Sequence, residues 1–119
     1  MTACEWDPKL VIVVEDDPDI LFLAGKRLKK LGYEPILAQD GVEALRKMID
    51  NPSCRRMVTD FMMPSFGGRY WIAFLERFCE DWQIVVVTSS VEADPGQFVT
   101  MPKPVDFENL VQIFERYPR

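Results

Sequence analysis

The sequence predicts a doubly wound α/β domain, in which helices cover both faces of one parallel sheet. Short apolar runs, which are typical of strands buried on both faces, alternate with stretches that carry apolar residues at helical spacing. This alternation continues along the whole chain without an internal repeat, a low-complexity tract or a linker. The chain has 119 residues, which is enough for one domain. We therefore expect residues 1–119 to form a single unit.

The first half of the chain predicts the order strand, helix, strand, helix. The run KLVIVV is the first strand, and Asp17 is suited to cap the helix that follows, with Pro18 at its first position. Gly32 ends this helix. The second strand is EPILA, and the second helix is GVEALRKMID, which stops near Asn51 and Pro52.

The second half continues with strands RMVTD, QIVVVT and FVTMP. Two basic residues, Arg55 and Arg56, stand at the start of the third strand. We expect them to lie in solvent there or to contact an acidic partner. A helix with Trp71 and Phe78 in its apolar stripe follows the third strand, and we expect this stripe to pack in the core. The last helix, within VDFENLVQIFERY, is capped by Asp106.

Composition excludes several classes of function. The net charge of −5 argues against a nucleic-acid partner, because phosphate backbones require a basic face. The chain has no histidine, and its three cysteines have no CxxC spacing, so a disulfide framework and a zinc site are not expected. A signal sequence and an apolar run of transmembrane length are absent as well. These features predict a cytoplasmic domain that does not insert into membranes.

The stretch VVEDDPD places three acids directly after a buried strand. Ligands of a doubly wound sheet bind beyond the carboxyl ends of the strands, where the strand order reverses. In the flavodoxin-like order 2-1-3-4-5, this point lies between the first strand, which ends at Glu15 and Asp16, and the third, which ends at Asp60. We therefore expect these three carboxylates to converge, whereas Asp17 serves as a helix cap. The alternative, in which Glu15 and Asp16 only complement the helix dipole, loses weight once Asp60 is in register.

The other strand ends supply complementary groups. Thr88 and Ser89 end the fourth strand, and Lys103 follows the fifth. Clustered carboxylates suit Mg²⁺, which also takes ligands from water and phosphate oxygens. A lysine and a hydroxyl can hold the remaining phosphate oxygens, and an aspartate can itself be the nucleophile that forms an aspartyl phosphate. The pattern indicates phosphoryl chemistry at this edge.

The motifs VVEDDP, TDFMMP, VVVTSS and PKPV, each at a strand end and in this order, resemble the receiver domain of two-component response regulators. The resemblance covers essentially the whole chain. It implies that Asp60 accepts a phosphoryl group from a sensor histidine kinase or a histidine phosphotransfer protein. It also implies that Glu15, Asp16 and Asp60, with the backbone carbonyl of Met62, bind Mg²⁺ or Mn²⁺.

The resemblance assigns the remaining site residues too. Thr88 matches the hydroxyl that contacts the phosphoryl group, and Ser89 fills a position that is kept small so that the phosphate fits. Lys103 would pair with the phosphate, and the bond from Lys103 to Pro104 resembles one that is usually cis in this family. Such a domain is a phosphoacceptor that catalyses only its own phosphorylation and dephosphorylation, not an enzyme with a separate substrate.

The chain departs from the family between Thr88 and Lys103, which only fourteen residues separate. A receiver needs more for a fourth helix and a fifth strand, so we expect that helix to be shortened or missing. Thr100 stands where the family often has Tyr or Phe, the partner of the threonine in switching. The phosphorylation machinery is thus expected to be intact, while the usual read-out through a downstream protein target or a homodimer is altered.

Two other functions stay open. One is a protein-interaction module that keeps the receiver fold and binds independently of phosphorylation, which the altered segment at 89–100 motivates. The other is a small-molecule phosphatase or phosphotransferase. Against the second, Met62 occupies the position where phosphatases of the haloacid dehalogenase type require another Asp. We therefore expect a stand-alone receiver domain spanning residues 1–119.

Overall fold

The computed structural model describes residues 5–61, 68–89 and 98–116. Within these ranges the five strands are parallel and lie in the order β2-β1-β3-β4-β5, which confirms the predicted fold class. The elements in chain order are β1 Leu10–Val14, α1 Pro18–Lys30, β2 Glu34–Ala38, α2 Gly41–Asp50, β3 Arg56–Asp60, α3 Gly68–Phe78, β4 Gln83–Thr88, β5 Val99–Pro102 and α4 Phe107–Arg116.

The two faces of the sheet bury separate cores. Successive strand residues point to opposite faces, so Ile12 and Val14 of β1 pack with α2 and α3, while Val11 and Val13 pack with α1 and α4. This accounts for the continuous apolar run of β1, since both of its faces are covered. No helix in the described part of the chain is long and apolar enough to cross a membrane.

The ends of α1 follow the predicted signals. The carboxylate of Asp17 accepts hydrogen bonds from the backbone N–H groups of Asp19 (2.9 Å) and Ile20 (3.3 Å), and Pro18 is the first helical residue. Gly32 has a φ of +96°, a left-handed conformation that glycine adopts without a steric penalty. The cap fixes where α1 begins, directly after the acids that end β1.

The expectation that Phe78 packs in the core is wrong, because its side chain is 64% exposed, whereas Trp71 in the same stripe is fully buried. The ring of Phe78 contacts the ring of Phe74, with the two centroids 5.0 Å apart. Phe78 lies on the last turn of α3 beside the buried face of the helix, since Leu75 and the following Cys79 are buried in the core while Phe78 is not. The shortened or missing helix between β4 and β5 falls on residues 90–97, which lie outside the described residues.

Arg56 is buried, so the expectation of a solvated strand entry is wrong for this residue. Its Nε donates to the Gln83 side-chain oxygen at 2.6 Å, and its other nitrogens donate to the backbone carbonyls of Pro8 and Phe114. The guanidinium also lies against the rings of Trp6, Tyr33 and Phe114. Arg56 thus joins the N-terminal segment, the sheet and α4 at the end of the sheet opposite the acids.

Candidate functional site

The candidate site lies at the carboxyl end of the sheet, where backbone hydrogen bonds fix the ends of neighbouring strands. The N–H of Glu15 donates to the carbonyl of Ala38 at 3.0 Å, which ties the end of β1 to β2. The N–H of Lys103 donates to the carbonyl of Thr88 at 3.2 Å, which ties the residue after β5 to the end of β4. The side chains at this edge are therefore positioned by the sheet itself.

Lys103 bridges two of the predicted acids. Its Nζ lies 2.9 Å from Oδ2 of Asp60 and 3.1 Å from Oε1 of Glu15. The side chains of Asp60 and Glu15 are 5% and 8% exposed, so these charge-assisted hydrogen bonds form where solvent screening is weak. The edge of the sheet therefore already holds a cation between these two carboxylates.

Asp16 completes a group of three carboxylates. One oxygen from each of Glu15, Asp16 and Asp60 lies within 4.8 Å of the others. Two oxygens on opposite sides of one Mg²⁺ are about 4.2 Å apart, twice the bond length of about 2.1 Å. Neighbouring oxygens on such an ion are about 3.0 Å apart, so the three carboxylates would close in on it, and their chemistry is that of hard oxygen donors. These three side chains fit a magnesium ion.

Electrostatics within the group point the same way. The pKa of Asp16 is raised, first by its hydrogen bond with the Glu15 side chain, then by burial and by the negative charge of Glu15. Burial lowers the pKa of Lys103, but its hydrogen bonds to Asp60 and Glu15 outweigh this effect, so the pKa of Lys103 is raised overall. The ammonium group is thus held in its charged form, and the carboxylates carry excess negative charge that a second cation would neutralise.

The remaining predicted site residues differ in burial, and one of them lies outside the described residues. Thr88 is buried at the end of β4, and Ser89, the next residue, is exposed. Met62, expected to offer its backbone carbonyl, lies outside the described residues. The bond between Lys103 and Pro104 is cis, as the resemblance implies. Thr100, in β5, is exposed.

A contact beneath the site was not anticipated from the sequence. The indole Nε1 of Trp71 donates to Oγ1 of Thr59 at 2.8 Å, and both side chains are fully buried. The hydroxyl of Thr59 in turn donates to the carbonyl of Asp60 at 3.1 Å. This chain of hydrogen bonds anchors the end of β3 to α3. The one signal in the sequence was the hydroxyl residue Thr59, which stands next to Asp60 in a strand that is buried along its whole length.

The backbone of the acidic turn also supports the site. The N–H of Asp17 donates to Oε2 of Glu15 at 3.1 Å, while Oε1 of the same carboxylate accepts from Lys103. Glu15 is thus held at both oxygens, which fixes its orientation toward Asp60. Asp17 itself caps α1 and does not belong to the carboxylate group, as predicted.

Comparison with known proteins identifies the family. Residues 11–115 match the family model described as response regulator receiver domain. The response regulator MprA of Mycobacterium sp. (strain KMS) is 35% identical over 111 residues, covering 87% of this chain and 48% of MprA. The chemotaxis protein CheY1 of Helicobacter pylori is 27% identical over 94 residues, covering 78% of this chain and 76% of CheY1.

Two further comparisons set the extent of the likeness. The transcriptional regulatory protein GlrR of Escherichia coli is 26% identical over 115 residues, which cover 91% of this chain and 26% of GlrR. The chain therefore spans about a quarter of GlrR and about half of MprA. The crystal structure of the response regulator protein TrrA from Thermotoga maritima, in complex with Mg²⁺ and BeF, has a TM-score of 0.76 and 25% identity, covering 91% of this chain and 97% of TrrA. This chain belongs to the family of response regulator receiver domains.

Proposed function

We propose that Asp60 accepts a phosphoryl group from a sensor histidine kinase or a histidine phosphotransfer protein, and that the modification switches a downstream protein target or passes the phosphoryl group along a relay. The observation that carries this proposal is the bridging position of Lys103, whose ammonium group contacts both Asp60 and Glu15. A buried carboxylate with a cation against it, in a receiver domain, is suited to accept a phosphoryl group.

The chain's own residues account for the transfer. A carboxylate oxygen of Asp60 attacks the phosphorus, an O–P bond forms, and the P–N bond to the donor histidine breaks with its electron pair left on the imidazole nitrogen. Lys103 turns from Asp60 to the phosphoryl oxygens and balances their charge. A magnesium ion held by Glu15, Asp16 and Asp60 would neutralise further charge on the phosphoryl group.

The other predicted residues take supporting roles in this proposal. Thr88 offers its hydroxyl to the phosphoryl oxygens from the end of β4, and Ser89 leaves room for them. The family resemblance implies that the backbone carbonyl of Met62 would be a further ligand of the metal ion. The domain catalyses only its own phosphorylation and dephosphorylation and acts on no separate substrate. Support for the metal comes from TrrA, whose crystal structure is a complex with Mg²⁺ and BeF.

The setting in the cell follows from the same proposal. We assign the chain to the cytoplasm, where its phosphoryl donor would be found. The thiols of Cys54 and Cys79 are free and buried, which agrees with a reducing compartment. A homodimer formed on phosphorylation is one form that the downstream response can take.

The test is the mass of the intact protein after incubation with acetyl phosphate and magnesium chloride. We expect one phosphoryl adduct on the wild type and none on Asp60→Asn, and we expect a chelator to prevent the adduct. Asp19→Asn is a matched control, because Asp19 is an exposed acid in the first turn of α1. An adduct that persists in Asp60→Asn, or that forms at the same rate with the chelator present, would exclude the proposed acceptor or the metal requirement.

A second function is favoured by one observation, the exposed Thr100 in β5. A threonine at this position lacks the aromatic ring that would report the state of Thr88, so the fold could bind a partner regardless of phosphorylation. Affinity for a partner that is the same for wild type treated with beryllofluoride and for untreated protein would support this interaction module. A change in affinity on treatment would support the switch.

A further inference from the structure

A cavity of about 420 Å³ lies between the sheet and the helices α1 and α4, next to the candidate site. Its walls come from β1, β3, β4, α1 and the segment from Pro104 to Phe107, and they are almost entirely apolar. Its size is within the range of about 300–1,000 Å³ that is typical of sites for small molecules. The cavity is open to solvent beside Ile20 and Leu23, which are exposed residues of α1, so a small molecule can enter it from that side.

The polar part of the lining is confined to Glu15, Asp60 and Lys103. These residues lie together at the carboxyl end of the sheet, and Asp16 lies beside them. Three carboxylates and one ammonium group leave an excess of negative charge at this end of the cavity. An ionised carboxylate has about four lone-pair sites, so Glu15 and Asp60 keep acceptor capacity beyond their bonds to Lys103.

We propose that this cavity binds a small amphipathic amine, whose apolar body lies among the side chains of α1 and the sheet and whose ammonium group lies against Glu15 and Asp60. Charge complementarity selects an amine over an acid, because a carboxylate ligand would face the acids of the site. The apolar walls select a body of one or two rings over a polar metabolite, because burying unpaired polar groups is costly.

Leu23 and Phe22 of α1 provide a matched pair for the test. They are neighbours with almost equal exposure, 59% and 60%, but only Leu23 lines the cavity. A change to Gln at either position adds a similar polar surface to the same helix. A difference between the two variants therefore reports the cavity and not a general effect of α1.

The experiment measures binding of naphthylmethylamine, naphthylmethanol and naphthoate to the unphosphorylated, metal-free chain by isothermal titration calorimetry. We expect the amine to bind at least ten times more tightly than naphthoate, with the alcohol between them. Leu23→Gln should weaken amine binding about fivefold and Phe22→Gln should leave it unchanged. Glu15→Gln should reduce the preference for the amine over the alcohol.

Equal binding of amine and naphthoate, equal effects of Leu23→Gln and Phe22→Gln, or no binding of any probe would overturn the proposal. A further expectation rests on the proposed function: magnesium chloride should weaken amine binding, because both cations use Glu15 and Asp60. The binding test itself uses neither metal nor phosphoryl donor, so its failure and the failure of the proposed function are distinguishable.

Discussion

The ammonium group of Lys103 lies 2.9 Å from a carboxylate oxygen of Asp60. It therefore already neutralises part of the negative charge that would attract a magnesium ion. Replacing this residue in Lys103→Met removes the competing charge. We expect the unphosphorylated variant to bind Mg²⁺ about fivefold more tightly, equivalent to ~1 kcal/mol, and to accept phosphoryl groups from acetyl phosphate more slowly. Calorimetric titration with magnesium chloride and the rate of adduct formation check the two effects.

Lys29→Met is the control for this change, because Lys29 is exposed on the last turn of α1. It should leave both measurements at the values of the wild type. Weaker Mg²⁺ binding in Lys103→Met would show that the lysine organises the carboxylates more than it competes for them.

Arg56 is expected to be a major source of stability. Arg56→Ala removes its hydrogen bonds to Gln83, Pro8 and Phe114 together with its contacts to the surrounding rings, and should cost about 3 kcal/mol of the free energy of unfolding. Arg56→Met fills more of the volume and should cost about half as much. Urea denaturation measures both. Arg46→Ala, at an exposed position of α2, should change stability by less than about 0.5 kcal/mol.

The hydrogen bond between Trp71 and Thr59 gives a third prediction. Thr59→Val keeps the shape of the side chain but removes the acceptor that lies 2.8 Å from the indole nitrogen. We expect a loss of about 1–3 kcal/mol in the free energy of unfolding. In a double-mutant cycle with Trp71→Phe, the two losses should add up to more than the loss in the double variant. Strict additivity would mean that the two side chains do not stabilise each other.

Cys79 should make stability depend on pH in the alkaline range. Burial raises the pKa of its thiol from 9.0 to about 11. Between these values the unfolded chain releases the proton while the folded chain retains it, so the free energy of unfolding falls as the pH rises from 9 to 11, by at most about 1.4 kcal/mol per pH unit. Well below pH 9 both states keep the proton, and this group contributes no slope.

Cys79→Ala isolates this contribution from those of the other groups that titrate at alkaline pH. Its stability at pH 8 will be lower, because the side chain is buried in the core. Its slope between pH 9 and pH 11 should be shallower than that of the wild type, as measured by urea denaturation at each pH. Parallel slopes would mean that Cys79 does not retain its proton in the folded chain.

The parts of the fold that the sequence predicted are those with strong local signals. The apolar run of β1, the cap at Asp17 and the glycine at position 32 each have a local cause, and the structure has them where expected. The meeting of Glu15 with Asp60 followed from one further rule, that parallel strands present their carboxyl ends at one edge. Local pattern and a topological rule were sufficient for these elements.

Other features depend on tertiary contacts that no local pattern encodes. The position of Arg56 before an apolar run predicted that its side chain would lie in solvent. In the structure its guanidinium instead contacts the rings of residue 6, residue 33 and a residue of α4. Phe78 continues the apolar stripe of α3, but the core covers its neighbours Leu75 and Cys79 and leaves Phe78 exposed. The cavity beside the site is lined by residues of α1 together with Val105 and Phe107, which lie far apart in the sequence, and no local pattern indicates the space between them.

The bonds from Lys103 to Glu15 and Asp60 span 88 and 43 positions of the chain. During synthesis a ribosome makes both acids long before it makes the lysine, and β5 is the last of the described strands to be synthesised. A chain that stopped after α3 would hold Asp60 and Glu15 without the ammonium group of Lys103 between them. The charge balance of this edge of the sheet is therefore completed only by the part of the chain that contains β5.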